Sequence, residues 1–310
     1  MHLYSNIGLT KNEIIISNIM ASIWLWSTSI LFPLCMVTYG LHKKSLNHSG
    51  AIAGIVVGFL LTISGLRFMV SLLVFFIFAS KATKFKSARK RKFEAEFKEG
   101  GQRNWIQVVS NGGPAAVLAI LYLLEVGSID VPINFSKTYS ASWYALSVMA
   151  ALASSCGDTF SSEIGSAVGS SDPVHILKLK RVPRGTNGGV SLYGTFSSII
   201  GGGIVGLGFY ITELVIFSSD NLLDSPKQWP VVCYGALAGV IGSLIDSILG
   251  ASLQYSGKHK KYGFIVEYKG PDVEDISGRE ILNNHSVNLL SSFITGIIIP
   301  YIAANSWFLF

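Results

Sequence analysis

Two acidic side chains interrupt the apolar run at residues 141–169, Asp158 and Glu163, and a third, Asp246, interrupts the run at 231–255. An ionised carboxylate at membrane depth costs on the order of 2.5–3.5 kcal/mol on insertion scales and usually marks a function. Asp158 and Asp246 lie on separate segments, both toward the same membrane face, which suits a shared divalent cation. A hard cation such as Mg²⁺ takes oxygen ligands, commonly one or two carboxylates completed by substrate phosphates. Helical spacing supports the pairing. Ser155, Asp158, Ser162 and Gly165 form one polar stripe, and Gly239, Gly242, Asp246, Gly250 and Gln254 form another. Glu163 is five residues beyond Asp158, about 140° around a regular helix, so it joins the same site only if the helix distorts. The bland alternative is that the acids pair with polar groups and simply join helices.

Between these segments lies LKLKRVPRGTNGGVSLYGTFSS, residues 177–198. Pro183, Gly185, Gly188 and Gly189 break regular structure, and a helix then begins near Gly194 and Thr195. Backbone N–H groups of Gly185, Thr186, Asn187, Gly188 and Gly189 could face an anion at that helix start. Arg184 could add a bidentate phosphate contact. An ordinary flexible loop with a basic flank is the competing reading. There is no G-x-x-x-x-G-K-[ST] loop, and the glycines at 201–203 fall inside an apolar span. Asn284 and Asn288, four apart at the start of the last span, are either ligands or helix caps. His175, His259 and His285 lack metal spacing and read as solvated.

The elements that must position these groups are membrane helices. Half of the 310 residues are hydrophobic and only 14% are charged, against roughly 25% in soluble domains. The apolar spans fall at about 14–39, 50–65, 66–81, 105–126, 141–169, 193–217, 231–255 and 287–308, the second and third split near Ser64-Gly65. The expectation is an all-α, polytopic bundle of about eight helices in a single membrane domain over 1–310. The main loops are 82–104, 170–192 and 256–286. The first span reads as a retained helix, without an evident signal-peptidase site. With eight crossings, one side holds twenty of the 24 Lys and Arg residues, leaving Lys11, Arg67, Lys137 and Lys227 on the other. The positive-inside rule makes the basic side cytoplasmic and puts both termini in the lumen or outside the cell. Endoplasmic reticulum is the default compartment. The net charge of +6 is then mostly a topology signal, with the run from Lys81 to Lys92 also placed to touch anionic headgroups. It lacks interleaved aromatics, so nucleic acid is not an expected partner. Asn134-Phe135-Ser136 is an outer-side glycosylation sequon. Cys35, Cys156 and Cys233 sit in apolar spans and form no disulfide or metal pattern.

The stretches HKKSLNHSGAIAG, EGGQRNWIQV, GDTFSSEIG, VPRGTNGGVSLYGT, GSLIDSILGASLQY and ILNNHSVNLLSS together resemble the transmembrane protein 19 family, over residues 42 to 292. That family includes the plant phytyl-phosphate kinases. The resemblance implies phosphoryl transfer from CTP or another nucleoside triphosphate to an isoprenoid lipid monophosphate at the bilayer surface. GDTFSSEIG and LYGT also resemble, more distantly, polyprenol kinases such as dolichol kinase. The chain departs from the family pattern at Asn283-Asn284-His285, where an acid is expected before the asparagines. On this reading Asp158, Glu163 and Asp246 are the catalytic set, with Mg²⁺ on Asp158 and Asp246. Arg184, Gly185, Thr186, Asn187, Gly188, Gly189, Thr195, Gln254, Asn284 and Asn288 would receive phosphate or nucleotide. A transporter or channel lined by the same acids, and a catalytically silent scaffold, are the alternatives from other classes.

Overall fold

The computed structural model describes residues 11–85, 101–169 and 171–310, with side chains from residue 23 onward apart from those of residues 220 and 221. Among the described residues there are eight long helices. They are α1 (Lys11–His42), α2 (His48–Ser64), α3 (Leu66–Lys84), α4 (Trp105–Val126), α5 (Tyr139–Phe160), α6 (Leu192–Ile216), α7 (Pro230–Leu253) and α8 (Asn284–Ser306). The run from Lys86 to Lys92 lies outside the described residues. Gly65 separates α2 from α3, so the pair suggested by Ser64-Gly65 is two helices. Asparagines and a serine start four of them. Asn47, Asn104, Ser191 and Asn283 each accept a backbone N–H in the first turn, and Asn104 completes a capping box with Gln107.

Six helices, α1, α3, α4, α6, α7 and α8, are long and apolar enough to cross a membrane, and α2 is a shorter apolar helix. The 22-residue α5 is not among them. Its composition has a physical reason. α3, α4, α6, α7 and α8 all pack on it, and Val148 through Ala153 are fully buried. A helix wrapped by protein needs small side chains more than lipid-soluble ones, and α5 is rich in Ala and Ser. Outward-facing Ile52, Leu124, Ile200 and Val215 remain exposed, as contact with lipid requires. The protein is therefore a polytopic helical membrane protein.

Two loops that read as irregular contain small sheets. Within 170–192, β1 (Val174–His175) pairs antiparallel with β2 (Gly189–Val190). Within 256–286, β3 (Ser256–His259) lies between β4 (Ile265–Val266) and β5 (Val273–Ser277), antiparallel to both. Both strand sets are too short for an alternating pattern to show. The loops join each other: the Asn187 amide donates to Ser256 Oγ at 3.0 Å, and Lys178 Nζ donates to the Ile276 carbonyl at 2.5 Å. His175 is not solvated but fully buried, its Nδ1 accepting the Lys178 N–H at 3.1 Å and the Leu177 N–H at 3.3 Å. Nor is Asn134 an exposed sequon: it is 7% exposed, and its side-chain oxygen takes the N–H groups of Ser136 and Lys137.

Candidate functional site

Glycine decides how close α5, α6 and α7 come. A Cβ at Gly157 would lie 2.4 Å from Gly239 Cα, and one at Gly242 would lie 2.0 Å from Ser154 Oγ. α5 and α7 therefore cross nearly backbone to backbone. α6 closes the third side, with Gly202 against Gly235 and Gly239 and Gly194 against Gly165. Small residues permit this approach, since a methyl group at Gly157 or Gly239 has nowhere to go.

One turn beyond the crossing, the carboxyls of Asp158 and Asp246 come close enough to repel each other. Ser243 lies beside Asp158, and Ser291 Oγ donates to Asp246 Oδ2 at 3.3 Å. With its amide nitrogen turned inward, Asn288 donates to Asp246 Oδ2 at 3.1 Å and to the Asn284 carbonyl at 3.0 Å. The opposite orientation offers only a 3.4 Å contact with Asn111 Oδ1. Among the described residues neither acid forms an ion pair. Two carboxylates with hydroxyls beside them form a hard-oxygen donor set of the type that suits Mg²⁺. Among the described residues no three His, Cys, Asp or Glu side chains gather, so a cation here would need oxygens from a ligand to complete its shell.

Beside Asp158 a small polar cleft runs between α5, α6 and α7, lined by the hydroxyls of Ser161, Thr195, Ser198, Ser243 and Ser247. Thr195 thus stands in the same cleft as Ser243, the hydroxyl beside Asp158. The glycine loop seats on the next turn of α7. Gly188 has φ +80, and a Cβ there would lie 2.4 Å from that of Ala251 and 3.0 Å from the Ser247 carbonyl. Only glycine combines that backbone with that contact. The loop's amides are mostly engaged: Thr186 N to Pro183 O, Asn187 N to Ser256 Oγ and Gly189 N to Thr186 O. Its visible work is to hold α7 below Asp246. Gly185, at φ +85, turns beside Ile265.

Other expected site residues stand apart from the two acids. Arg184 lies over the end of the α5 extension, 3.4 Å from the carbonyls of Ser166 and Ser171 and 4.0 Å from Asp172. Gln254 is buried and donates to Glu267 at 2.7 Å. Asn284 meets Asn288 only through its carbonyl, and Asn283, at the departure from the family pattern, is the helix cap. Neighbouring Tyr255 donates to Asp275, and its phenol is pushed up to about 12 by burial first and by that acid second. After Phe160 the helix does distort, into a π-helix over Ser161–Gly165. Glu163 then faces Arg103, which Cys156 also approaches.

Arg103 escaped the sequence reading. It lies within EGGQRNWIQV, immediately before a capping asparagine, where a basic residue counts as a loop charge. Its guanidinium donates to Ser80 Oγ at 2.8 Å and Thr83 Oγ1 at 3.4 Å, and its backbone bridges to Leu46. Asn111, two turns along α4, links that region to the acids: its carbonyl accepts from Ser155 at 2.9 Å, one turn before Asp158.

A second buried charge group lies at the far end of the bundle. Arg67 is fully buried, 3.1 Å from Asp130 and 2.9 Å from Glu213, with Tyr122 at 3.2 Å. Asp130 also accepts the Leu66 N–H that opens α3, and burial raises its carboxyl while Arg67 opposes the rise.

The family model described as integral membrane protein DUF92 matches residues 31–296. Protein PGR of Arabidopsis thaliana is 42% identical over 266 residues, covering 84% of this chain and 91% of that protein. An uncharacterized membrane protein of Methanocaldococcus jannaschii is 26% identical over 86% of this chain and 89% of its own. Protein VTE6, chloroplastic, also of Arabidopsis thaliana, is 27% identical over 72% of this chain and 55% of its own. No solved structure matches the chain.

Proposed function

The chain belongs to the integral membrane protein family DUF92, and from that premise we propose that it is a lipid-phosphate kinase. It transfers a phosphoryl group from CTP or another nucleoside triphosphate to an isoprenoid lipid monophosphate, as its resemblance to the transmembrane protein 19 family and the plant phytyl-phosphate kinases suggests. One observation carries the reading: Asp158 and Asp246 lie near enough to repel each other on glycine-packed helices, without an ion pair among the described residues, beside a hydroxyl-lined cleft. Two adjacent anions are costly unless a positive ligand joins them.

Asp158 and Asp246 would hold Mg²⁺, which when bound offsets the charge of the nucleotide phosphates. Ser243, Ser291 and Asn288 fix the two carboxylates for that task. Ser161 offers a hydroxyl donor to phosphate oxygens in the cleft, and Thr195 and Ser198, whose hydroxyls donate to the carbonyls of Ser191 and Thr195, would turn toward an arriving phosphate. Arg184, held only by long contacts, can turn toward an anion arriving at the rim. The acceptor is already an anion, so the reaction asks for positioning and electrostatics more than for a strong base. By the positive-inside rule this end of the bundle would face the cytoplasm, with both termini opposite. The endoplasmic reticulum, the default from the sequence, gains no support from the relatives, one of which is chloroplastic by name.

The test uses purified protein, Mg²⁺, γ-labelled CTP and a panel of phytyl, farnesyl and geranylgeranyl monophosphates. A labelled diphosphate that disappears with Asp158→Asn supports the reading. Folded protein that yields no diphosphate across the panel, or that carries ions or solutes across liposomes without nucleotide, refutes it.

A further inference from the structure

Three cations gather at the turn between α1 and α2. The turn carries Lys43, α3 ends in Lys84, and Arg103 stands just before α4. The three are built together. Lys84 Nζ donates to the Lys43 carbonyl at 2.6 Å and to Ser45 Oγ at 3.2 Å, and the Arg103 N–H donates to the Ser45 carbonyl at 3.0 Å. The Arg103 guanidinium is tied to Ser80 and Thr83, in the turn of α3 that ends in Lys84. Its carbonyl accepts the Asn47 N–H at 3.1 Å and would lie 2.2 Å from a Cβ at Gly50, so the backbone has no slack there.

This arrangement sets like charges against one another. Lys43 and Arg103 both lie near enough to Lys84 to repel it. Among the described residues none of the three is in an ion pair, and the acid that reaches the group is Glu163, on the Arg103 side. α2 and α4 both begin here, so their positive ends add to the charge instead of offsetting it. Lysines that only mark topology are free to spread into water. Here Lys84 and Arg103 are pinned to one turn, and the Lys43 and Lys84 side chains are exposed. An anion is what such a group lacks. The level of the group in the membrane says which kind. Tyr39 on α1, Phe85 after α3 and Trp105 at the start of α4 are exposed around it, the aromatic signature of a bilayer interface. The phosphates at that level are those of lipid headgroups, and basic pockets between helix ends are recurrent seats for them.

We propose that Lys43, Lys84 and Arg103 form a site for the phosphate of an anionic lipid headgroup in the leaflet on this side of the membrane. A phosphomonoester headgroup such as that of phosphatidate carries about 1.5–2 negative charges at neutral pH, and so matches three cations better than a phosphodiester does. The bound lipid fastens the α1–α2 turn to the adjoining ends of α3 and α4. Its role is independent of phosphoryl transfer at Asp158 and Asp246.

The experiment follows thermal unfolding of the full chain in a neutral detergent with EDTA. The protein is titrated with dioctanoyl phosphatidate, with dioctanoyl phosphatidylcholine or with inorganic phosphate. Phosphatidate is expected to raise the unfolding temperature saturably, and the other two to leave it unchanged. Lys43→Gln keeps the carbonyl that receives Lys84, and should weaken the apparent affinity about fivefold, the scale of one cation at a charged membrane surface. Lys84→Gln and Arg103→Gln should weaken it at least as much. Lys258→Gln, which removes the same charge from an exposed position in β3, should change nothing. Asp158→Asn should bind phosphatidate as the parent does, because the acids take no part. Equal shifts with phosphatidate and phosphatidylcholine, or an equal shift with inorganic phosphate at the same concentration, overturn the inference even where a variant fails to fold. So does a loss in Lys258→Gln as large as in Lys43→Gln, or a shift that vanishes in Asp158→Asn. The kinase reading is untouched by these results, since transfer is not what they measure.

Discussion

The two ends of the bundle handle buried charge in opposite ways. At one end Arg67 sits between Asp130 and Glu213, ringed by Phe68, Tyr122 and Phe209 at 5.1–5.7 Å. The guanidinium also donates to the Val131 carbonyl at 2.8 Å. Every charge there has an opposite partner, and the group ties α3, α6 and the α4–α5 loop together. At the other end Asp158 and Asp246 have hydroxyl and amide neighbours but, among the described residues, no cation. The first group sets two carboxylates on one guanidinium, with Glu213 Oε2 left without a hydrogen-bond partner; the second has no cation at all among the described residues. Buried charge points to function where the protein gives it no partner of opposite sign, and to structure where the protein pairs it.

The sharpest way to break the comparison is to remove Arg67. Arg67→Met leaves two buried carboxylates facing apolar rings, and a broken buried ion pair costs about 3–5 kcal/mol. Thermal unfolding in detergent should show a large drop. Adding Glu213→Leu and Asp130→Asn to the same chain should restore most of it, because a neutral network needs no cation. If Arg67→Met unfolds no earlier than the parent, this end is not structural.

At the other end Asp246→Asn should behave in the reverse sense. It relieves the repulsion with Asp158, so the unfolding temperature should hold or rise, while phosphoryl transfer falls by about 10²–10³, the scale for losing one preorganised electrostatic group. Equal transfer by the variant and the parent would place the chemistry elsewhere. Loss of both stability and transfer would make Asp246 a second structural charge.

Sequence alone revealed the membrane class, the span at 105–126, the break at Gly65 and the nearness of Asp158 to Asp246, because each depends on local composition or on the cost of a charge in lipid. It could not show Arg67 as a buried partner, since Asp130 and Glu213 reach it from 63 and 146 residues away. Glu163 required a distortion that helical periodicity can flag but not assert, and the π-helix turns it toward Arg103. The three-stranded sheet was hidden because strands of two to five residues carry no readable period. The family model, in turn, covers residues 31–296 and so includes both charge groups without distinguishing them.

A smaller effect tests how the acids are brought together. Gly239→Ala would push a methyl 2.2 Å from the Ser198 carbonyl and 3.0 Å from Gly202 Cα, and overpacking of this kind costs about 1–3 kcal/mol. Transfer should fall with stability, since α6, pushed away from α7 there, closes the third side of the crossing that sets the spacing of Asp158 and Asp246. Gly203→Ala, whose nearest neighbour would be Ala236 Cβ at 3.7 Å, should change neither. Equal effects from the two variants would mean that close approach at the crossing is not what positions the acids.

The smallest expected effect lies in the loop that braces α7. His175 is buried, and its Nδ1 accepts two backbone N–H groups, so the neutral ring is the form that fits. Burial first, and the charge of Lys178 second, hold its pKa below the ordinary 6.5. The unfolded hairpin therefore binds a proton more readily than the folded one. Its contribution to stability is full above pH 6.5 and shrinks as pH falls below that value, levelling off once the folded ring also protonates. Amide exchange at Ile176 and Leu179, whose N–H groups bond within this hairpin, should quicken between pH 6.5 and 5 beyond the intrinsic trend. His175→Asn keeps an acceptor for the two N–H groups without titrating, and should flatten that dependence. Because the hairpin seats Gly188 on Ala251, loosening it should reduce transfer modestly at low pH and leave the Arg67 end untouched. A pH effect that appears instead at Arg67 would reverse the roles of the two ends.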